Sequence, residues 1–460
     1  MMRMLLPLLL LVVSLPSAAQ LRIGRASVVI TPPVGMPTGG SYRKVISEGV
    51  LDDLHAKTIV LEQNGKRVAL VSCDLVAISE PFIVDARRLI EQQTGLKAED
   101  VMISATHTHS GPMMPGRGVR DEMFGGEMPV VTQYRKWLPE RIAESVKLAL
   151  ANLTPVRVSA AIEHEHAVAF NRRFHMKNGT VAWNPGRLNP DIVRPAGPID
   201  PDVAVVYFES PDGKPLATYV NHALHVAVVG GRRFSADYPG VIARLLANVR
   251  GQDMLTVFTI GAAGNINHVN PSKPAIASGI AEANRIGTIL TGSVLKAYDG
   301  LTPVPEAVLQ ARRTVVNLPP YPVTPDDVAK GHDAARRFDA KPPASFKELV
   351  SGFRAIDMDR MQGRPVEAEV QVIALGNQLA WVGLPGEVFV ELGMAVKHAS
   401  PFPFTIVAEL SGPWIGYVPD RKAYPEGNYE VESARMAEGG GEMLVEAAAA
   451  MLAEMHRNAR

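Results

Sequence analysis

Val101-Met102-Ile103-Ser104-Ala105-Thr106-His107-Thr108-His109-Ser110-Gly111-Pro112 decides how the chain is to be folded. The apolar run from Val101 to Ile103 reads as a buried strand, and Gly111-Pro112 stops its continuation. His107 and His109 therefore sit where a strand empties into a loop, the side on which open α/β sheets bind ligands. Residues at i and i+2 of a strand face the same way, so both rings can enter one pocket. Neutral imidazole is the commonest metal ligand, and a second imidazole beside a metal is placed to move protons. A pair of polar residues closing a strand is the plainer alternative for the same pattern.

Working outward, residues 57–62 and 67–72 read as a hairpin around Asn64-Gly65, a dipeptide that favours the tight primed turn. Asp74 follows the second strand directly. Residues 82–93 have helical apolar spacing, with Gly95 as the stop. Strand, helix, strand implies a parallel pair whose polar tips share one edge of a sheet. Downstream, residues 111–129 are rich in glycine and methionine. Such a segment serves either as a mobile lid with adaptable apolar contacts or as a loop tucked onto the core. A helix over 140–153 and a strand over 156–162 lead to Glu163-His164-Glu165-His166, where the flanking glutamates favour a solvated strand end.

Strands over 203–208 and 216–220 follow, the second running into Asn221-His222-Ala223-Leu224-His225. A helix over 241–249 precedes the apolar strand 254–260. That strand empties into Gly261-Ala262-Ala263-Gly264-Asn265, whose small residues let backbone amides approach a ligand. A helix over 276–298 and a strand over 308–316 come next, then residues 319–345, whose prolines and charges read as an exposed insertion or linker. A hairpin over 367–375 and 378–382 ends in Gly383-Leu384-Pro385-Gly386-Glu387, placing a carboxylate at a strand tip. The last strand, 404–408, precedes Gly416-Tyr417 and Tyr429, and 433–455 reads as mostly helical. No internal repeat is visible. The alternation predicts an α/β fold of mixed β-sheets with flanking helices and an active site at the carboxyl ends of the strands.

Composition narrows the function. Basic and acidic residues number 47 each, so no global charge draws the chain to nucleic acid or to an anionic membrane. Cys73 is the only cysteine, which rules out an intrachain disulfide, and its apolar neighbourhood reads as a buried inert thiol. Residues 1–19 read as a cleaved export signal: Arg3, the apolar stretch from Leu5 to Leu15, then Ser17-Ala18-Ala19. No apolar run is long enough to span a membrane. Residues 20–460 are then expected to form an exported catalytic domain, periplasmic or extracellular, with the oligomeric state left open by the sequence.

His107, His222 and Glu387 all follow apolar strands, and two imidazoles with a carboxylate form a known catalytic zinc set with a position left for water. Competing signatures are absent: no Gly-x-Ser-x-Gly elbow, no His-Glu-x-x-His helix and no Cys-x-x-Cys. The motifs Thr106-His107-Thr108-His109-Ser110-Gly111-Pro112, Val71-Ser72-Cys73-Asp74, Asn171-Arg172, Ser235-Ala236-Asp237, Gly383-Leu384-Pro385-Gly386-Glu387 and Gly416-Tyr417 with Tyr429 occur in this order. Together they resemble the neutral, non-lysosomal ceramidases. The resemblance implies a zinc amidohydrolase with His107, His222, Glu387 and Tyr417 as metal ligands. It further implies His109 and Tyr429 at the reacting carbonyl, Arg172 lining the site, and Asp74, Asp237 and Asn265 behind it or against substrate. Two departures stand out. Asn267 occupies the place of a serine in the family's glycine-rich motif, and the sequence ends at Arg460 without the family's immunoglobulin-like carboxyl-terminal domain. The expected activity is hydrolysis of the amide of an N-acyl, lipid-like compound by zinc-activated water. An esterase, lactonase or peptidase on the same zinc, or an exported binding protein without turnover, are the rivals.

Overall fold

The computed structural model describes residues 20–116, 118–274, 278–305 and 308–459; the expected export signal, residues 1–19, lies outside them. One arrangement of strands occurs three times. In the first, β1 (Arg22–Val29), β2 (His55–Gln63) and β3 (Lys66–Cys73) run antiparallel; the chain then crosses through α1 (Glu80–Thr94) and returns as β4 (Val101–Ala105), parallel to β3. The β2–β3 turn has Gln63 opposite Lys66 and positive φ at both Asn64 (49°) and Gly65 (80°), as the tight primed turn requires. The helix α2 (Pro129–Ala151) packs on α1 and β1.

The second copy is β5 (Arg157–His164), β6 (Asp202–Glu209) and β7 (Pro215–His222), then α3 (Asp237–Arg250) and β8 (Leu255–Ile260), with β8 parallel to β7. Helix α4 (Ile280–Ala297) covers α3; residues 275–277, where the expected helix was to begin, lie outside the described residues. The third begins with β9 (Leu309–Leu318), carries the helical pair α5 (Pro325–Arg336) and α6 (Phe346–Met361), and resumes with β10 (Val366–Leu375) and β11 (Leu379–Gly383). It closes through α7 (Val390–Ala399) to β12 (Phe404–Ala408), parallel to β11, and α8 (Gly440–Asn458) packs over α7, β9 and β10.

The strands read as nearly continuous apolar runs because both faces are buried. Ile59 and Leu61 of β2, Val206 and Phe208 of β6, and Ile373 and Leu375 of β10 meet in one cluster between the three sheets. Their alternating neighbours Val60, Val205 and Val372 turn the other way, into clusters shared with the helices. Backbone bonds tie the carboxyl ends of the parallel strands together: Ala105 N–H donates to Leu410 O (3.1 Å) and Glu409 N–H to Ile260 O (3.1 Å). Ser72 Oγ donates to Phe258 O (2.5 Å). Three loops that each follow a buried strand are thus held against one another.

Two segments differ from the sequence expectation. Helix α2 starts at Pro129 rather than at 140, because Pro129 occupies the first turn, where it is tolerated, while Pro139 masks the continuity further on. Residues 319–345 are more than an exposed insertion. Thr324 and Asp327 form a capping box that starts α5, which packs on α6 so closely that a Cβ on Gly331 would lie 2.6 Å from Gly352 O. From α6, Leu349, Phe353 and Ile356 join the core.

Candidate metal centre

His107 follows β4 with φ at +72°, a conformation costly for a residue with a Cβ and concentrated at functional sites. Its amide donates to Leu75 O (2.9 Å) and its ring Nδ1 meets Val76 O at 2.6 Å. A carbonyl only accepts, so Nδ1 carries the proton and Nε2 presents its lone pair. His225 is held in the same way, with Nδ1 donating to Ala263 O (2.9 Å). Both Nε2 atoms lie 3.5 Å from Glu387 Oε2. The ring of His109 is brought in by its amide, bonded to Val226 O (2.9 Å), and its Nε2 lies 3.2 Å from that of His107. Gly40 makes room for it: its φ is +76°, and a Cβ there would lie 2.5 Å from the His109 ring. His107, His109 and His225 form a buried cluster able to hold a metal ion.

Glu387 reaches the cluster through a sharp turn. Gly386 has φ of +80° and sits where a Cβ would be 2.3 Å from Gly416 O. The short strand Glu387–Val388 then pairs with Tyr417–Val418, setting Glu387 opposite Tyr417. The Arg172 guanidinium stands over the Tyr417 ring, 5.4 Å from its centroid. The Tyr429 ring lies 5.2 Å from that of Tyr417, and Arg172 stands over both. Arg172 is itself fixed by Glu430 Oε1 (2.8 Å) and by Gly264 O (2.5 Å).

Burial dominates the protonation of the group. It pushes the His225 imidazole down to about 3, helped by Arg172 and His107, and lowers His109 well below the usual imidazole range. Burial also opposes ionisation of Glu387, but the imidazoles of His107 and His225 outweigh it and hold that carboxyl well below its ordinary value. Burial, with Glu387 nearby, lifts the Tyr417 phenol well above its ordinary range; burial and then Tyr42 do the same for Tyr429. The result is a carboxylate held in its ionised form beside the His107 and His225 rings, with the Arg172 guanidinium also donating toward His225 Nε2 (3.4 Å).

His222, expected from the sequence as a ligand, stands elsewhere. Its ring, fully buried at the end of β7, bonds Asp202 O (2.9 Å) and neighbours Asp200 and Lys397. The imidazole that completes the cluster is His225, three residues further on, because β7 continues to His222 and only the loop beyond it turns toward His107. The supporting residues hold loops and do not border the pocket. Asp74 accepts the His55 amide (2.9 Å), and Asp237 accepts the amides of Val228 and Val229 (2.9 and 2.8 Å), just past His225. Asn265 accepts the Val390 amide (2.9 Å) and donates to Glu391 (2.8 Å), just past Glu387. Asn267 is buried and bonds Asn184 (3.1 Å). Cys73 is buried, and its thiol is pushed up by that burial.

His107, His109 and Glu387 border a pocket whose apolar lining includes Val76, Met113, Met114 and Phe124. The methionines stand out in the sequence, but Arg120, 5.5 Å over the Phe124 ring of the same wall, and the buried Glu430 behind Arg172 do not, because neither falls at a strand tip. Among the described residues no helix is long and apolar enough to cross a membrane.

No protein-family model matches the chain, and no curated protein sequence matches it. Its fold is that of the neutral ceramidase from Pseudomonas aeruginosa, with a TM-score of 0.73 at 18% identity over 96% of this chain and 75% of that one. A ceramidase complexed with C2 gives 0.72 at 18% identity, covering 96% of this chain and 76% of that one.

Proposed function

We propose that the protein is an exported zinc-dependent hydrolase that cleaves the amide bond of an N-acyl compound. The observation that carries this reading is the donor set. His107 Nε2, His225 Nε2 and Glu387 Oε2 are arranged with 3.5 Å from each nitrogen to the carboxylate oxygen. Ligands about 2.0–2.2 Å from a tetrahedral zinc stand roughly 3.3–3.6 Å apart. Each imidazole has its other nitrogen committed to a backbone carbonyl, the outer support that fixes a ligating tautomer. Tyr417, opposite Glu387 across the paired short strands, is the further donor beside the set.

When bound, zinc lowers the pKa of water to about 7 and polarises a carbonyl. The chain's own groups do the rest. His109, neutral because it is buried, accepts a proton in the pocket and returns it to the leaving amine. The hydroxyl of Tyr429, un-ionised for the same reason, donates to the carbonyl oxygen as charge develops there. Arg172 holds the two tyrosines in place through its own bond to Glu430. The wall of Met113, Met114 and Phe124 takes an acyl chain and keeps water from the reacting carbonyl.

The test is turnover of a panel of N-acyl amides, matched esters and lactones, and peptides by the purified protein, with zinc measured in the same preparation. Amide cleavage that stops on chelation and returns with zinc supports the reading. Ester or peptide turnover alone would replace it with a rival on the same site. Zinc and ligand retained without turnover would make the protein a binder.

A further inference from the structure

We infer that the substrate carries an anionic group on the far side of its scissile bond from the acyl chain; this deepens the hydrolytic reading and rests on it. A second pocket adjoins the first, and both are bordered by Arg120, Glu387, Trp414, Tyr417 and Tyr429. Beyond these shared residues the first pocket is lined by Val76, Met113, Met114 and Phe124 together with the polar Thr38, Ser79 and Asp121. The second brings together three guanidiniums, Arg120, Arg354 and Arg435.

Arginines near a buried site are ordinarily consumed by carboxylates, and here two are not. Among the described residues, Arg120 makes no ion pair: one N–H donates to Ser41 O (3.0 Å), and the group lies on the Tyr42 ring, 4.6 Å from its centroid. Its nearest acidic neighbours are Asp121, whose carboxylate accepts the Gly118 amide (2.9 Å), and Glu387, committed to the histidines. Arg354 lies 4.0 Å from the centroid of Tyr321, has one long bond to Val431 O (3.4 Å), and its Nε has no partner. Only Arg435 is paired, with Asp357 at 3.0 Å, and Asp357 also accepts the Val119 amide (3.1 Å). Three positive groups therefore face two carboxylates that are not committed to the metal centre, Asp121 and Asp357, each of which also accepts a backbone amide.

Stacking on aromatic rings holds a guanidinium flat while leaving its N–H edge free, the geometry that receives a carboxylate or phosphate. The surplus is local, since the whole chain carries 47 basic and 47 acidic residues. A neutral amphiphile would leave these donors unanswered when it displaced their water, whereas an anion would satisfy them. The acyl chain then lies along the methionines, the carbonyl at His107, His109 and His225, and the anion among the arginines.

The experiment uses three uncleavable probes on the purified, metal-loaded protein. Each has an eight-carbon chain joined through a ketomethylene, in place of the amide, to a head ending in a carboxylate, a phosphate or a hydroxyl. Calorimetry should find one or both anions bound about tenfold or more tighter than the hydroxyl probe, since hydrogen bonds to charged groups are the stronger ones. Whichever anion is favoured names the head group. The advantage should shrink in both R354Q and R435Q and fall with added salt. Circular dichroism confirms that each variant is folded, and R354Q breaks no ion pair, so it stands if R435Q does not fold. Equal binding of the hydroxyl probe, or an anion advantage unchanged in R354Q, overturns the inference. Absence of amide turnover with the anion advantage intact would instead overturn the hydrolytic reading and leave the anion pocket supported.

Discussion

Glu430 is fully buried, and its two oxygens accept Arg172 Nε at 2.8 Å and an Arg173 amino group at 2.9 Å. Replacing it by alanine leaves two guanidiniums, 5% and 2% exposed, short of their shared counter-charge. Arg173 keeps Glu426 at 3.1 Å, but Arg172 has no other carboxylate among the described residues. Removing one partner of a buried ion pair costs about 3–5 kcal/mol, because the remaining charge is left desolvated. Unfolding entropy near 60 °C is about 2.1 cal/mol/K per residue, or roughly 0.9 kcal/mol/K for a chain of this size unfolding as one unit. Glu430→Ala should therefore lower Tm by roughly 3–5 °C. Glu430→Gln, which keeps one acceptor oxygen and the shape, should lower it less. Since Glu430 also aims Arg172 at Tyr417 and Tyr429, the alanine variant should lose kcat as well as stability. Scanning calorimetry with initial-rate kinetics reads both. A Glu430→Ala protein that melts within 1 °C of wild type would refute the assignment of this pair as a buried strut.

Three further variants separate roles within the site. His109→Ala should keep the metal and bind substrate nearly as well, yet lose about 10²–10⁴ in kcat, since general acid–base help acts only in the transition state; an effect on KM alone would make His109 a substrate contact. Gly40→Ala should cost about 1 kcal/mol or more, because φ of +76° strains a side chain there. It should also slow turnover by displacing the His109 ring, and full activity would contradict the packing. His222 is held below its ordinary value of 6.5 by burial. The folded state thus binds fewer protons than the unfolded one, so its contribution is present above pH 6.5 and is lost as pH falls below that value. His222→Gln should flatten this part of the acid-side decline in urea-unfolding stability, and an unchanged slope would show that His222 does not titrate on unfolding.

Strands, crossover helices and the side of the sheets that carries the site were legible because both faces of each sheet are buried and the breakers are Gly and Pro. The three-fold recurrence of the strand plan was not, because it is written in topology and hydrogen bonding, with no shared residues to reveal it. At the site, His107, His109, Glu387, Tyr417, Tyr429 and Arg172 are brought together as their motifs suggested. The choice of His222 over His225 failed for a definable reason: both imidazoles follow the same apolar strand, and which one turns inward depends on where the strand ends. Asp237, bonding two amides just past His225, fixes that turn, and no local pattern announces it. Arg120, Arg354 and Arg435 come from three separate segments, so only the fold makes them neighbours.

Whether His107, His225 and Glu387 hold one zinc ion is decided by metal content. Elemental analysis of the purified wild type should give one zinc per chain. His107→Ala and His225→Ala, folded by circular dichroism, should lose most of it, because a set of this size cannot give up an imidazole without a large fall in affinity. His222→Ala should retain it in full. Zinc lost in His222→Ala and kept in His225→Ala would contradict the account and return the ligand role to the residue at the strand end.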